Sequence, residues 1–79
     1  MKNEIKAILK SKIGPLIKRL RSDRGWTARE LSFRAEIHEA TITSVERGDR
    51  LPTLLVIGCI CVALGIDMTT FFKEAQKKD

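Results

Sequence analysis

The chain of 79 residues has no tyrosine, one histidine and two cysteines. Each shortage removes a class of function. No carboxylate pair lies near His38 at a spacing useful for general acid–base work. There is no glycine-rich phosphate loop, and Ser32, Ser44 and the cysteines have no evident base partner. The expectation is a protein that is not an enzyme. Cys59 and Cys61 are two apart, so on a helix they point to nearly opposite sides and cannot easily bridge each other. A single histidine beside them is too little for a metal site, so no metal and no other cofactor is expected. The pair reads as small apolar residues in a reducing cytoplasm.

Long hydrophobic runs are missing too. The longest uncharged run, Leu51 to Ile66, is too short for a membrane span and contains Pro52 and two glycines. The N-terminus alternates lysines with isoleucines and has no apolar signal-peptide core. A cytoplasmic protein without a membrane partner is the expectation. No segment alternates apolar and polar residues with period two, and no repeat, low-complexity tract or long linker is visible. That leaves an all-α protein.

The length fits one domain over residues 1–79, with one small core. Such a domain buries only about 60–65% of its unfolded surface, so a partner or a dimer would add meaningfully to stability. The formal charge of +5 is unevenly placed. Residues 1–50 hold 12 basic and 7 acidic side chains, and residues 51–79 hold 3 of each. An excess of this kind favours a polyanion through counterion release.

Along the chain, Ile5, Ile8, Leu9 and Ile13 recur at helical spacing among lysines 2, 6, 10 and 12. Residues 1–14 therefore read as an amphipathic helical extension to a five-helix core over 15–76. Gly14-Pro15 should break or restart the helix, since proline is tolerated only in a first turn. Leu16, Ile17 and Leu20 carry the next helix to a left-handed stop at Gly25. Thr27 and Glu30 have capping-box spacing, and Trp26 and Leu31 flank them as a hydrophobic staple. A second short helix begins near His38, with Ile37 and Ile42 at staple spacing, and stops at Gly48. Pro52-Thr53 opens a fourth helix that ends at Gly65. Ile66-Asp67 and Phe71 repeat the staple and cap for a fifth, to about Gln76. The two short helices, about 28–35 and 39–47, are separated by a tight turn. That is how a helix-turn-helix is written, with the second helix held out as a probe for a DNA groove.

Leu20-Arg21, Gly25, Glu30-Leu31, Ala35, Ile37, Ile42, Val45-Glu46-Arg47-Gly48, Pro52, Leu64-Gly65-Ile66 and Phe71 together resemble the Cro/C1-type (XRE-like) helix-turn-helix regulators. The likeness spans residues 16–72. Its length, lead-in and IHEATITSVERGDR segment look most like the small controller proteins of restriction–modification systems. The resemblance implies a compact lambda-repressor-like domain that binds double-stranded DNA. It places base contacts on His38, Glu39, Ala40, Thr43 and Ser44, and phosphate contacts on Thr27, Ala28, Arg29, Thr41, Arg47 and Arg50. The chemistry suits those roles. Glu39 can accept from a cytosine amino group, and Ala40 and the Thr43 methyl can touch a thymine methyl. His38 and Glu39 can equally serve their own helix N-terminus with no DNA present.

Two positions depart from the family's habit. Glutamine is usual where Ala28 stands, so one phosphate contact is weakened. Glycine is usual where Glu36 stands, so the turn either takes a small left-handed penalty or changes type. Arg21 and Glu46 match a family pair that joins the first and third helices, where an arginine fork would lock the probe to the scaffold. The fourth helix departs most. Leu54, Ile57, Ile60, Cys61 and Leu64 fall at core positions, but Leu55, Val56, Cys59 and Val62 make it apolar nearly all round. Such a helix needs cover on every side. The expected cover is a second copy, through Leu55, Val56, Cys59, Val62, Met68 and Phe72. The alternative cover is the N-terminal helix of the same chain. A second functional reading is a protein-interaction module on this fold, an antitoxin or adaptor with a different protein partner and secondary DNA binding.

Overall fold

The computed structural model describes residues 1–77. It holds five helices: α1 (Lys2–Asp23), α2 (Ala28–Ala35), α3 (Glu39–Glu46), α4 (Leu54–Leu64) and α5 (Met68–Gln76). No strand occurs among the described residues. Thr27, Thr53 and Asp67 start three of the helices. Each is extended, and its side-chain oxygen accepts from the N–H three residues on, at 3.0 Å for Glu30, 3.1 Å for Val56 and 2.7 Å for Thr70. The reciprocal half of the box at Thr27 does not form. The Glu30 carboxylate turns instead to Arg34, whose Nε donates to it at 2.8 Å. A guanidinium one turn away is a stronger partner than a neutral amide.

The core is a single cluster fed by all five helices. Ile17, Leu31, Ile42, Ile60 and Phe71 are its largest wholly buried members, and each contributes about 1.5–3 kcal/mol by leaving water. Leu54 is not among them. It stands on the outer face of α4 at 70% exposure, so its expected core place is corrected. It is the first residue of its helix, one turn ahead of the buried Ile57, and it lines the open groove between the end of α2 and α4 with Leu55. Leu55 and Val62 are likewise open, at 76% and 82%. The N-terminal half of α1 does not reach them, and its own Ile5, Ile8 and Leu9 stay exposed. Cover of α4 by the chain's own N-terminal helix is therefore absent. No single described helix is long and apolar enough to cross a membrane.

The break expected at Gly14-Pro15 does not occur. α1 runs through Pro15 for 22 residues, and the extension and the first core helix are one rod. Three things permit it. Pro15 and Ser11 are both exposed, so the Ser11 carbonyl that loses its donor faces solvent. The Ser11 hydroxyl donates to the Ile8 carbonyl at 2.7 Å and holds the preceding turn. Gly14 has no Cβ, which removes part of the clash that proline imposes on the residue before it.

Gly14 has a second role. It is buried against the end of α3, where an added Cβ would run into the Val45 carbonyl oxygen and come within 2.9 Å of the Glu46 oxygen. Both obstacles are backbone and cannot swing aside. Gly14→Ala should therefore destabilise the fold by about 1–3 kcal/mol, although alanine is the better helix former. Urea unfolding would read this directly, and a variant as stable as the wild type would show that the two helices can part at no cost.

The cap of α5 gives a pH signature. Hydrogen bonds from Thr70 hold the Asp67 carboxyl below its ordinary range. Its contribution is complete above the ordinary aspartate value and declines as acidification passes that value toward the lowered one. Asp67→Asn, which keeps a capping oxygen but does not titrate, should flatten the acid limb of stability. Urea midpoints between about pH 7 and pH 3 would measure it; parallel limbs for both proteins would remove Asp67 as a contributor.

Candidate nucleic-acid interface

The turn between α2 and α3 solves its glycine problem by force. Glu36 adopts φ 57° and ψ 42°, the left-handed conformation, and ends α2 with its N–H on the Ser32 carbonyl. Of the two outcomes open at this position, the chain takes the strained one, costing about 1–2 kcal/mol. Ile37 follows and packs on the core. α3 then buries only Ile42 and Val45, three residues apart on one edge. His38, Glu39 and Ala40 are exposed, and Thr41, Thr43 and Ser44 are half-exposed. A short helix held along one edge, with its remaining faces open and polar, is shaped to enter a groove.

His38 is the N-cap of α3, but its side chain makes no capping bond. Its imidazole is left available, and so are the first amides of the helix beyond those that reach the His38 carbonyl. Glu39 lies in that first turn, where its charge suits the helix end. The Thr43 hydroxyl donates to the Ala40 carbonyl at 3.2 Å, so its methyl is the group it can offer to a base.

The phosphate candidates fall on both sides of α3. Thr27 and Ala28 form the start of α2, where Thr27 satisfies the Glu30 amide and leaves the earliest N–H groups of the helix open to an anion. Arg29 is exposed in the same turn. Beyond the other end of α3, Gly48 takes φ 80° and the Asp49 N–H returns to the Ser44 carbonyl at 2.9 Å, turning the chain sharply. Arg47 and Arg50 flank that turn in solvent, with Arg47 within 3.0 Å of Asp49. At such exposure this pair is weak and would yield readily to a phosphate.

Behind α3 lies a sheltered, two-pronged ion pair. Arg21 of α1 donates through Nε and one terminal nitrogen to the two Glu46 oxygens, at 2.7 and 2.9 Å. Its other terminal nitrogen donates to the Trp26 carbonyl at 3.0 Å. The two side chains are only 14% and 7% exposed, and the Glu46 bond holds the guanidinium above its ordinary pKa. One arginine thus joins α1, the entry to α2 and the end of α3.

Some of the surroundings were not anticipated from sequence. Arg34 lies 4.1 Å over the Trp26 ring and Arg24 lies 6.0 Å from it, so two cations clasp the indole beside the start of α2. The four-residue spacing of Glu30 and Arg34 was the available signal. Lys10 was unmarked as well, yet its Cβ lies about 4.0 Å from where a Gly48 side chain would begin.

The six apolar residues assigned to a dimer face are not all together. Leu55, Cys59, Val62 and Met68 line one shallow groove of about 510 Å³ beside α2, and Val56 is half-buried in the same helix. Phe72 is elsewhere, lining a second hollow with Ile8, Leu9 and Ala75.

The chain matches a helix-turn-helix domain family model over residues 12–70. It is 36% identical over 58 residues to the uncharacterized HTH-type transcriptional regulator YqaF of Bacillus subtilis (strain 168), covering 73% of this chain and 76% of that one. Among solved structures it is similar to the wild-type restriction-modification controller protein C.Esp1396I. That likeness has TM-score 0.77 and 29% identity, over 90% of this chain and 96% of the other. It is also similar to the clp gene regulator ClgR from Corynebacterium glutamicum, with TM-score 0.78 and 27% identity, over 85% and 71% of the two chains. The matched stretch begins in α1 before Gly14 and holds the whole of α2, α3 and α4, with the Arg21–Glu46 clamp at its centre. The chain belongs to the helix-turn-helix domain family, among its Cro/C1-type DNA-binding transcriptional regulators.

Proposed function

We propose that the protein is a homodimeric regulator that reads a (pseudo)palindromic operator in double-stranded DNA, in the manner of a restriction–modification controller. The observation that carries this reading is the pose of α3. Its polar face, His38 to Ser44, stands clear of the core while a bidentate ion pair fixes its far end, and exposed arginines flank it at 29, 47 and 50. Side chains on that face suit base edges and the arginines suit phosphates on either side. Regulation is by occupancy, with polymerase blocked or recruited and no chemistry on the DNA.

A second copy is the cover that α4 invites. The helix carries no charged residue from Leu54 to Leu64, so its open face can meet its own twin without repulsion. A dimer would set two α3 helices about 34–36 Å apart, one turn of duplex. Selection from a random duplex library is the direct test. Enrichment of a two-fold-symmetric site with half-sites about ten base pairs apart supports the reading. Weak, salt-sensitive binding with no enriched site overturns it in favour of a protein-interaction module.

On the selected site, Arg47→Ala and Arg50→Ala should weaken binding to every duplex alike, each reducing the salt slope by about 0.9. Slopes equal to wild type would take them off the phosphate list. Leu55→Ser with Val62→Ser should leave the fold intact, because both side chains are already in solvent, and should convert dimer to monomer in sedimentation. A double variant that sediments as wild type would place the dimer contact elsewhere.

A further inference from the structure

The N-terminal half of α1 is too long for the core it belongs to. At about 1.5 Å per residue the helix is about 33 Å long, close to the 35 Å greatest dimension of the molecule. Which face of α1 looks along α3 is marked by three contacts. Arg21 bonds Glu46, Gly14 abuts the Val45 and Glu46 carbonyls, and Lys10 lies against Gly48. Counting back from Lys10 in steps of four, Lys6 and Lys2 follow as a row of neighbours that winds about 40° per step around the helix. Past the end of α3, the edge of α1 that carries Gly14 and Lys10 therefore runs on into a slowly winding row of lysines. The row starts at the turn that presents Arg47 and Arg50.

We propose that Lys2, Lys6 and Lys10 form a second phosphate-binding edge, which grips duplex DNA in the flank beyond the bases that α3 reads. The inference rests on the duplex-DNA reading of α3 and extends its footprint. Lys10 to Lys2 covers about 12 Å of helix, comparable with the axial rise of three to four phosphates on one strand. Within α1 no acidic residue opposes the row, and Asp49 of the neighbouring turn is paired with Arg47. The sole acidic residue before Asp23 is Glu4, which lies on the other side of the helix. None of the three lysines has an ion-pair partner among the described residues. The charge pattern argues against a second copy here, because self-association through this row would set lysine on lysine. A neighbouring polyanion meets no such penalty, and the arginine turn already directs one to this edge.

The test uses the full chain and its library-selected operator, carried on duplexes with long and with trimmed flanks. One triple variant is Lys2→Gln, Lys6→Gln and Lys10→Gln. The other, with the same loss of charge off the row, is Lys12→Gln, Lys18→Gln and Lys73→Gln. Binding is measured from about 50 to 300 mM salt. The row variant is expected to lower the salt slope by about 2–3 and to lose the extra affinity that long flanks give the wild type. The control variant should keep most of both. Equal losses in the two variants would reduce the row to general net charge and overturn the proposal. So would a row variant with wild-type slope and wild-type flank dependence, and either outcome leaves the α3 reading standing. A wild-type protein that binds no selected duplex would sink that reading and this inference together.

Discussion

The contact between α1 and the end of α3 is the constraint on which the rest of the molecule depends. α3 is eight residues long, too short to persist alone, and buries only two side chains. Its position is fixed by what lies behind it. Gly14 lets the α1 backbone come against the last carbonyls of α3, and seven residues on, Arg21 closes a fork on Glu46. The two contacts work together. Without the close approach the arginine would not reach with both bonds, and without the fork the backbones would meet edge to edge with little to resist rocking. Taking one partner from such a sheltered pair leaves a charge with no counterpart, at a cost of about 3–5 kcal/mol. The pair is a positional device more than a source of net stability.

That arrangement explains an apparent extravagance at Pro15. A proline inside a helix forfeits a hydrogen bond and invites a kink, yet α1 needs to be continuous for Gly14 and Arg21 to share one rigid face. The chain sets the proline on the solvent side, one residue after the glycine that must touch α3. The lost bond falls where water can replace it. Likewise Glu36 tolerates a left-handed conformation that glycine would adopt freely, because Ala35 and Ile37 on either side are held by the core. Local strain persists at both places because tertiary packing over-determines the backbone.

The surface divides by chemistry. Around α3 it is polar and cationic, along α4 it is apolar and uncharged, and the N-terminal half of α1 carries both an apolar stripe and a row of lysines. A small domain cannot bury all of its apolar residues, and most of the exposed ones here gather along α4 and the N-terminal half of α1, with Phe33 standing open beside the start of α3. A chain built this way can associate through one face while another meets a polyanion.

Much of this was legible in the sequence because it is local. Thr27, Thr53 and Asp67 announce helices that begin where they stand, since a cap bond spans three residues and needs nothing else. Gly48 marks a stop for the same reason, and the order of parts from Thr27 to Pro52 was enough to name a helix-turn-helix. The misreadings have one origin. Gly14-Pro15 reads as a break when only the backbone's own bonds are counted, Leu54 reads as core when only periodicity is counted, and Glu30 reads as half of a box when Arg34 is left out. Each was settled by which side of a helix faced solvent, a neighbouring helix or a competing charge. The sequence by itself determined the helices, their ends and the charge of each segment, because these follow from interactions within a turn or two. Only the tertiary structure decided that Lys10, Gly14 and Arg21 share the face of α1 that runs along α3, and that Phe72 parts company with Leu55. Those relations join residues far apart in the chain, and packing alone brings them together.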